Sequence, residues 1–173
     1  TYANKGSYSQ DGFWASPEED VGEIQSQVTL LVAYMQIIDK LGTDDYEYSI
    51  RPYPLEDFSQ YNPLINNKSS NVKLDSSIDY GTWLAQQDVL IGVTSTTILP
   101  IAMTGKTYLN MDILCGRKSF DVFFFREIEA SLVKYSPCSV DEAISMIKRK
   151  DEFKLSSDTV GSVMKGFSDS KLK

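Results

Sequence analysis

The chain has 173 residues, of which 42% are hydrophobic and 24% charged, the balance of a folded domain with one real core rather than of a disordered tail. Its net charge of −7 argues against duplex nucleic acid as a partner. It leaves phosphate ligands open, because one arginine or one helix N-terminus can hold a phosphate in an acidic protein. The sequence contains no histidine, so the commonest general base and the commonest metal ligand are both missing. Cys115 and Cys138 fit neither a zinc spacing nor a disulfide scaffold, and read as two free thiols in a reducing compartment. No metal site and no bound cofactor is expected.

Residues 1–15 are polar, glycine-bearing and interspersed with aromatics, and read as a linker, with one domain over 16–173. The opening Thr1 suggests a fragment or a processed product. Ser16-Pro17-Glu18-Glu19 has the form of a helix start, with a capping Ser, Pro at the first helical position and Glu three residues after the cap. The spacing of Val21, Ile24, Val28, Leu31 and Met35 predicts an amphipathic helix to Leu41, packed on a sheet through that face and ended by Gly42.

Residues 46–51 then read as a strand broken by Pro52 and Pro54. After a short helix or turns over 55–70, ending in a polar loop, come a second strand over 71–75 and a helix over 77–87 with Ile78, Trp83 and Leu84 inward. Residues 88–93 (DVLIGV) are nearly all apolar, as in a parallel strand buried on both faces, and read as the most buried strand of the chain. A helix over 95–104 and a strand over 106–111 follow. Residues 119–135 are ambiguous, with Phe123-Phe124-Phe125 read as core. Ser139 and Glu142 form a second capping box, and a last helix is placed after Ser156. This alternation predicts an α/β domain of Rossmann-like, three-layer build around a parallel sheet of at least four strands. No apolar run approaches the roughly 20 residues of a membrane span, and no signal peptide is expected.

Two loops carry candidate chemistry. Arg51-Pro52-Tyr53-Pro54-Leu55-Glu56 follows a strand, and in open α/β sheets ligands bind beyond the carboxyl ends of strands. Arg51 has the planar fork that suits a phosphate, or else it pairs locally with Glu56 or Asp57. Gly92-Val93-Thr94-Ser95-Thr96-Thr97 leads from the apolar strand into a helix. Its unpaired N–H groups and its hydroxyls form a potential phosphate site, with Gly92 allowing close approach, or else a hydroxyl simply caps the helix. Pro100 would fall in the second turn of a helix begun at Ser95, a costly place unless the helix starts later.

Taken in order, strand–RPYPLE, NVKLD, the Trp83 helix, DVLIGV and the hydroxyl-rich helix start resemble the C-terminal half of bacterial capsule and lipopolysaccharide glycosyltransferases of GT-B type, over residues 46–112. In that family an Arg-Pro-His-Pro-x-Glu loop and a Ser-Thr or Thr-Thr helix start flank the nucleotide-sugar site. The resemblance implies that Arg51, Tyr53, Glu56, Gly92, Ser95, Thr96 and Thr97 hold the donor's phosphates and sugar. It implies a glycan acceptor, a missing N-terminal half that supplies the general base, and a cytoplasmic location, with peripheral attachment to the inner face of the membrane left open. The catalytic residue is not identified. The family's loop histidine is Tyr53 here, and its helix glutamate falls on Pro100. These two departures favour a degenerate module that binds glycan or protein without catalysis, while a nucleotide-sugar epimerase of the same fold is a third reading.

Overall fold

The computed structural model describes residues 17–52, 58–65, 70–77, 79–95, 97–117, 132–159 and residue 161. Helix α1 spans Pro17–Leu41 and leads to strand β1, Tyr48–Ile50. A 3-10 turn, Phe58–Tyr61, runs into α2, Asn62–Ile65, and then β2, Val72–Leu74. Helix α3, Tyr80–Gln86, precedes β3, Val89–Gly92; α4, Ile98–Thr104, precedes β4, Thr107–Asn110. A single turn, α5, covers Asp112–Cys115. A 3-10 turn at Val133–Tyr135, α6 at Val140–Lys148 and a 3-10 turn at Lys150–Phe153 follow. Residues 157–159 and 161 are helical, as the sequence predicts. Phe123, Phe124 and Phe125 lie outside the described residues.

The chain is mixed α/β and its strand pairing is parallel. β1 pairs with β2 and β3 pairs with β4, each through the connection that carries a helix between its two strands. Among the described residues the two ladders are separate two-stranded sheets. The expectation of an α/β chain built on parallel strands is met at this level.

The β3–β4 pair is covered on both faces. Leu90 and Tyr108 point to one side and pack with Leu84 of α3, Ile98, Ile101 and Ala102 of α4, and Tyr135 and Leu155. Val89, Ile91 and Leu109 point to the other side, against Ala33 and Ile37 of α1, Cys115 of α5, and Ala143 and Met146 of α6. The strand period of two thus feeds two cores. All four residues of β4 are buried, whereas β3 buries only Leu90 fully, so β4 and not β3 is the most buried strand. The edge of β4 is closed by an antiparallel bridge between Thr107 and Lys154, with Leu155 N–H donating to the Lys106 carbonyl. No such cover is visible in a string of apolar letters.

Helix α1 links the two sheets. Its 25 residues reach about 37 Å. Ile37 enters the β3–β4 core while the adjacent Ile38, with Tyr34 and Met35, covers Tyr48, Ile50 and Val72 of the β1–β2 pair. Gly42 ends the helix with φ +77, and its N–H donates to the Ile38 carbonyl at 2.9 Å. From the opposite side Trp83 Nε1 donates to Ser49 Oγ of β1 at 2.9 Å, so the α3 indole packs on one core and is tied to the other sheet.

The buried face of α1 differs from the one predicted. Leu30, Ala33, Ile37 and Leu41 form the line facing the β3–β4 core and Ser26 is buried, while Val28 is 57% and Val32 50% exposed. Leu31 and Met35 are half-buried, and the side chains of Val21 and Ile24 lie outside the described residues. The run from Leu30 to Met35 is apolar on every side but one, so periodicity alone leaves the facing residue open. Ile37→Ala should cost about 2–5 kcal/mol by loss of burial plus cavity formation. Val28→Ala should stay within about 0.5 kcal/mol, as usual for exposed sites. Urea unfolding of both variants checks the assignment; equal losses would return the buried face to Val28.

Candidate functional site

The two loops singled out in the sequence leave the carboxyl ends of β1 and β3. Of their residues Arg51, Gly92, Ser95 and Thr97 are described, and Tyr53, Glu56 and Thr96 lie outside the described residues, as does Asp57.

Arg51 stands one residue past β1. Its Nη1 bonds Asp75 Oδ1 at 2.5 Å and Ser77 Oγ at 3.1 Å, and Nη2 bonds the Ser77 carbonyl at 2.8 Å. The guanidinium also lies over the rings of Tyr80 and Trp83, 5.5 and 5.3 Å from their centroids. Asp75 follows β2 directly, and its N–H donates to the Ile50 carbonyl, so the pair closes the carboxyl end of the β1–β2 ladder. With side chains only 13% and 23% exposed, this is a partly desolvated ion pair. The local alternative for Arg51 therefore has a described partner that spacing did not suggest, Asp75, which parallel pairing brings alongside from 24 residues on.

After β3 the chain makes a short turn before α4. Ser95 Oγ and Thr97 Oγ1 are 2.5 Å apart, Ser95 Oγ accepts the Thr97 N–H at 3.3 Å, and the Ser95 carbonyl accepts the Ile98 N–H at 3.2 Å. The helix begins at Ile98, later than the predicted Ser95, so Ser95 and Thr97 precede it. Pro100 then occupies the third helical position, where no intrahelical N–H bond is due. A Cβ at Gly92 would rest 3.5 Å from Tyr108 Oη, an ordinary contact, so neighbouring protein fills this space. Tyr108 Oη in turn donates to the Val93 carbonyl at 2.9 Å, and burial pushes its pKa far up, so it stays a neutral donor.

Sequence reasoning missed the residues that hold this turn. Thr94 donates its N–H to both carboxylate oxygens of Asp112 at 3.2 Å, and its hydroxyl to Oδ2. Asn110 Nδ2 donates to Thr94 Oγ1 at 3.1 Å, and Asn110 Oδ1 accepts the Asp112 N–H at 3.1 Å. Arg117 Nη1 donates to the Thr94 carbonyl at 2.9 Å and lies 3.7 Å from Asp112 Oδ1. Thr94 is 1% and Asn110 2% exposed. The signal available in the sequence was Asn110-Met111-Asp112, two polar side chains at the carboxyl end of an apolar strand, two residues apart.

Neither cysteine is activated. Burial and the charge of Asp112 push the Cys115 thiol up to about 11. Exposed Cys138 donates to Glu142 Oε2 at 2.9 Å, and that carboxylate raises its pKa. Glu142 also accepts the Cys138 N–H at 2.8 Å, while its own N–H donates to Ser139 Oγ, so the predicted capping box at α6 is formed with one residue's shift. Among the described residues no group of His, Cys, Asp and Glu is arranged to hold a metal ion, and no helix is long and apolar enough to cross a membrane.

Two outcomes follow from these pairings. Arg51→Ala leaves Asp75 with its Ser77 bonds alone and should lower stability by about 1.5–3 kcal/mol, the range for hydrogen bonds to charged groups, with Arg51→Lys recovering part of it. Thermal melts of the three proteins test this. Glu142→Gln removes the charge that raises the Cys138 pKa, so the thiolate fraction at pH 8 rises and alkylation of Cys138 by iodoacetamide accelerates; an unchanged rate would show that Glu142 does not control the thiol.

Compared with family models, curated proteins and solved structures, the chain matches none of them.

Proposed function

We propose that this chain is the donor-binding half of a GT-B-type glycosyltransferase that builds surface polysaccharide in the cytoplasm, at the inner face of the membrane. In this reading the two parallel pairs belong to one Rossmann-like sheet of at least four strands. The observation that carries it is the position of the two motif loops, each at the carboxyl end of a parallel strand. Ser95 and Thr97 are exposed enough to offer hydroxyls to a nucleotide-sugar donor, with Thr96 between them, and Tyr53 and Glu56 belong to the same site through the motif. Arg51 then shapes the loop from its base, since its guanidinium already serves Asp75 and Ser77. Hydrogen-bond donors at the leaving phosphate would stabilise the charge that develops there. The general base and the glycan acceptor would come with the other half, so this chain alone binds the donor and does not turn it over.

A second reading, a module of the same build that binds without catalysis, is favoured by one observation. The N–H and hydroxyl of Thr94, the buried donors of the second loop, are taken by the chain's own Asp112. Titration calorimetry with UDP-, GDP- and CMP-linked sugars separates the two readings. Under the first, one of them binds, and Ser95→Ala with Thr97→Val weakens it about tenfold, the loss of one to two neutral hydrogen bonds, in protein that stays folded at the titration temperature. If none of the three binds, the second reading replaces the first.

A further inference from the structure

The loop between β3 and α4 is tied down by a polar cluster far more elaborate than a short turn needs. Four of its backbone groups, the carbonyls of Gly92, Val93 and Thr94 and the N–H of Thr94, have partners on the segment 108–117. The Gly92 carbonyl accepts the Met111 N–H at 2.8 Å, and the Val93 carbonyl accepts the Tyr108 hydroxyl. The Thr94 N–H goes to Asp112 and the Thr94 carbonyl to Arg117. Asn110 closes the ring by donating to Thr94 Oγ1 and accepting the Asp112 N–H. Asp112 is the one member to which both Thr94 donors and the Arg117 charge converge.

We propose that Asp112, braced by Asn110 and Arg117, is the positioning residue that locks the β3–α4 loop in the single conformation presenting Ser95 and Thr97 outward. The proposal rests on the donor-site reading for its purpose, and on the hydrogen-bond geometry for its substance. The physical reason is that the cluster is buried. Moving Thr94 away would leave a carboxylate, a guanidinium and an amide with unmet bonds in a place that water does not freely reach. The alternative loop conformations are therefore penalised, and the hydroxyls are held in place before any ligand arrives. A loop ordered in advance spares a ligand the entropy of ordering it. Asp112 touches no reacting atom in this scheme; it acts through Thr94.

The reporters are the Thr97 and Ile98 amides, which bond to Ser95 and not to Asp112. Amide hydrogen exchange is measured on the whole chain as wild type, Asp112→Ala, Asp112→Asn and Arg117→Met. The expected result is that Asp112→Ala speeds exchange at Thr97 and Ile98 by roughly 10- to 150-fold, the factor that corresponds to losing a charge-assisted hydrogen bond. The β3–β4 ladder amides should stay within about threefold, and Asp112→Asn should recover part of the effect. Should Asp112→Ala fail to fold, Arg117→Met carries the same comparison with a smaller effect. Equal acceleration of loop and ladder, or no acceleration of the loop, overturns the proposal. UDP, GDP and CMP are then titrated into wild type and Asp112→Ala at a temperature where both are folded. A wild type that binds one of them, and a variant that binds it at least tenfold more weakly, supports positioning for the ligand. Equal affinity in the two overturns it. If wild type binds none of the three, the donor-site reading falls, and the exchange comparison alone decides whether Asp112 locks the loop.

Discussion

Two-sided burial of the β3–β4 pair is the constraint on which the rest of the structure depends. Short parallel strands have too little edge to be stable alone, and a parallel ladder is found where both faces are covered. Here the cover on one side is α3 and α4, on the other α1, α5 and α6. All four residues of β4 are buried, and its two polar side chains are satisfied from outside the ladder. Thr107 Oγ1 donates to the Lys150 carbonyl at 2.7 Å, and Asn110 joins the Thr94 cluster. A buried strand with polar residues at both ends thereby fixes where its neighbours must supply partners.

The second consequence lies at the carboxyl edge. Parallel strands end together, so whatever follows them is gathered on one side of the sheet. At β1–β2 that gathering produces the Arg51–Asp75 pair stacked on Tyr80 and Trp83, and at β3–β4 it produces the Thr94–Asp112–Arg117 cluster. The two clusters share a logic. In each, an acid just beyond one strand meets groups just beyond the adjacent strand, and an arginine balances the charge. Both loops are thus braced by charged groups of the chain itself, and Ser95 and Thr97 lie just past the braced part of theirs. Among the described residues, Ser95 and Thr97 offer hydroxyls there. Both thiols are held protonated by their surroundings, and the sequence has no imidazole.

Element by element, the sequence was legible where a local signal coincided with the fold. Pro17 and Gly42 bracket α1 where they were expected to, and Ser139 caps α6. The four strands fall within the predicted stretches, because each is a short apolar or β-branched run bounded by turn residues. The delayed start of α4 is also a local matter, since Pro100 tolerates only a first-turn position. α5 escaped notice because four residues give no periodicity to read.

What the sequence by itself determined is therefore the alternation of elements, their parallel pairing and the two loops at the strand ends, all of which follow from residues within a few positions of one another. Tertiary structure alone decided which side of α1 is buried, since Leu30, Leu31, Val32 and Met35 are all apolar and only the neighbours select among them. It also made β4 rather than β3 the innermost strand, by laying Lys154 and Leu155 against its edge. And it chose the partners of Arg51 and Thr94, because Asp75 and Asp112 come from 24 and 18 residues further along and meet them only when parallel strands align. Hydrophobic spacing is written in the chain locally; the pairing of buried charges depends on what the fold brings within reach.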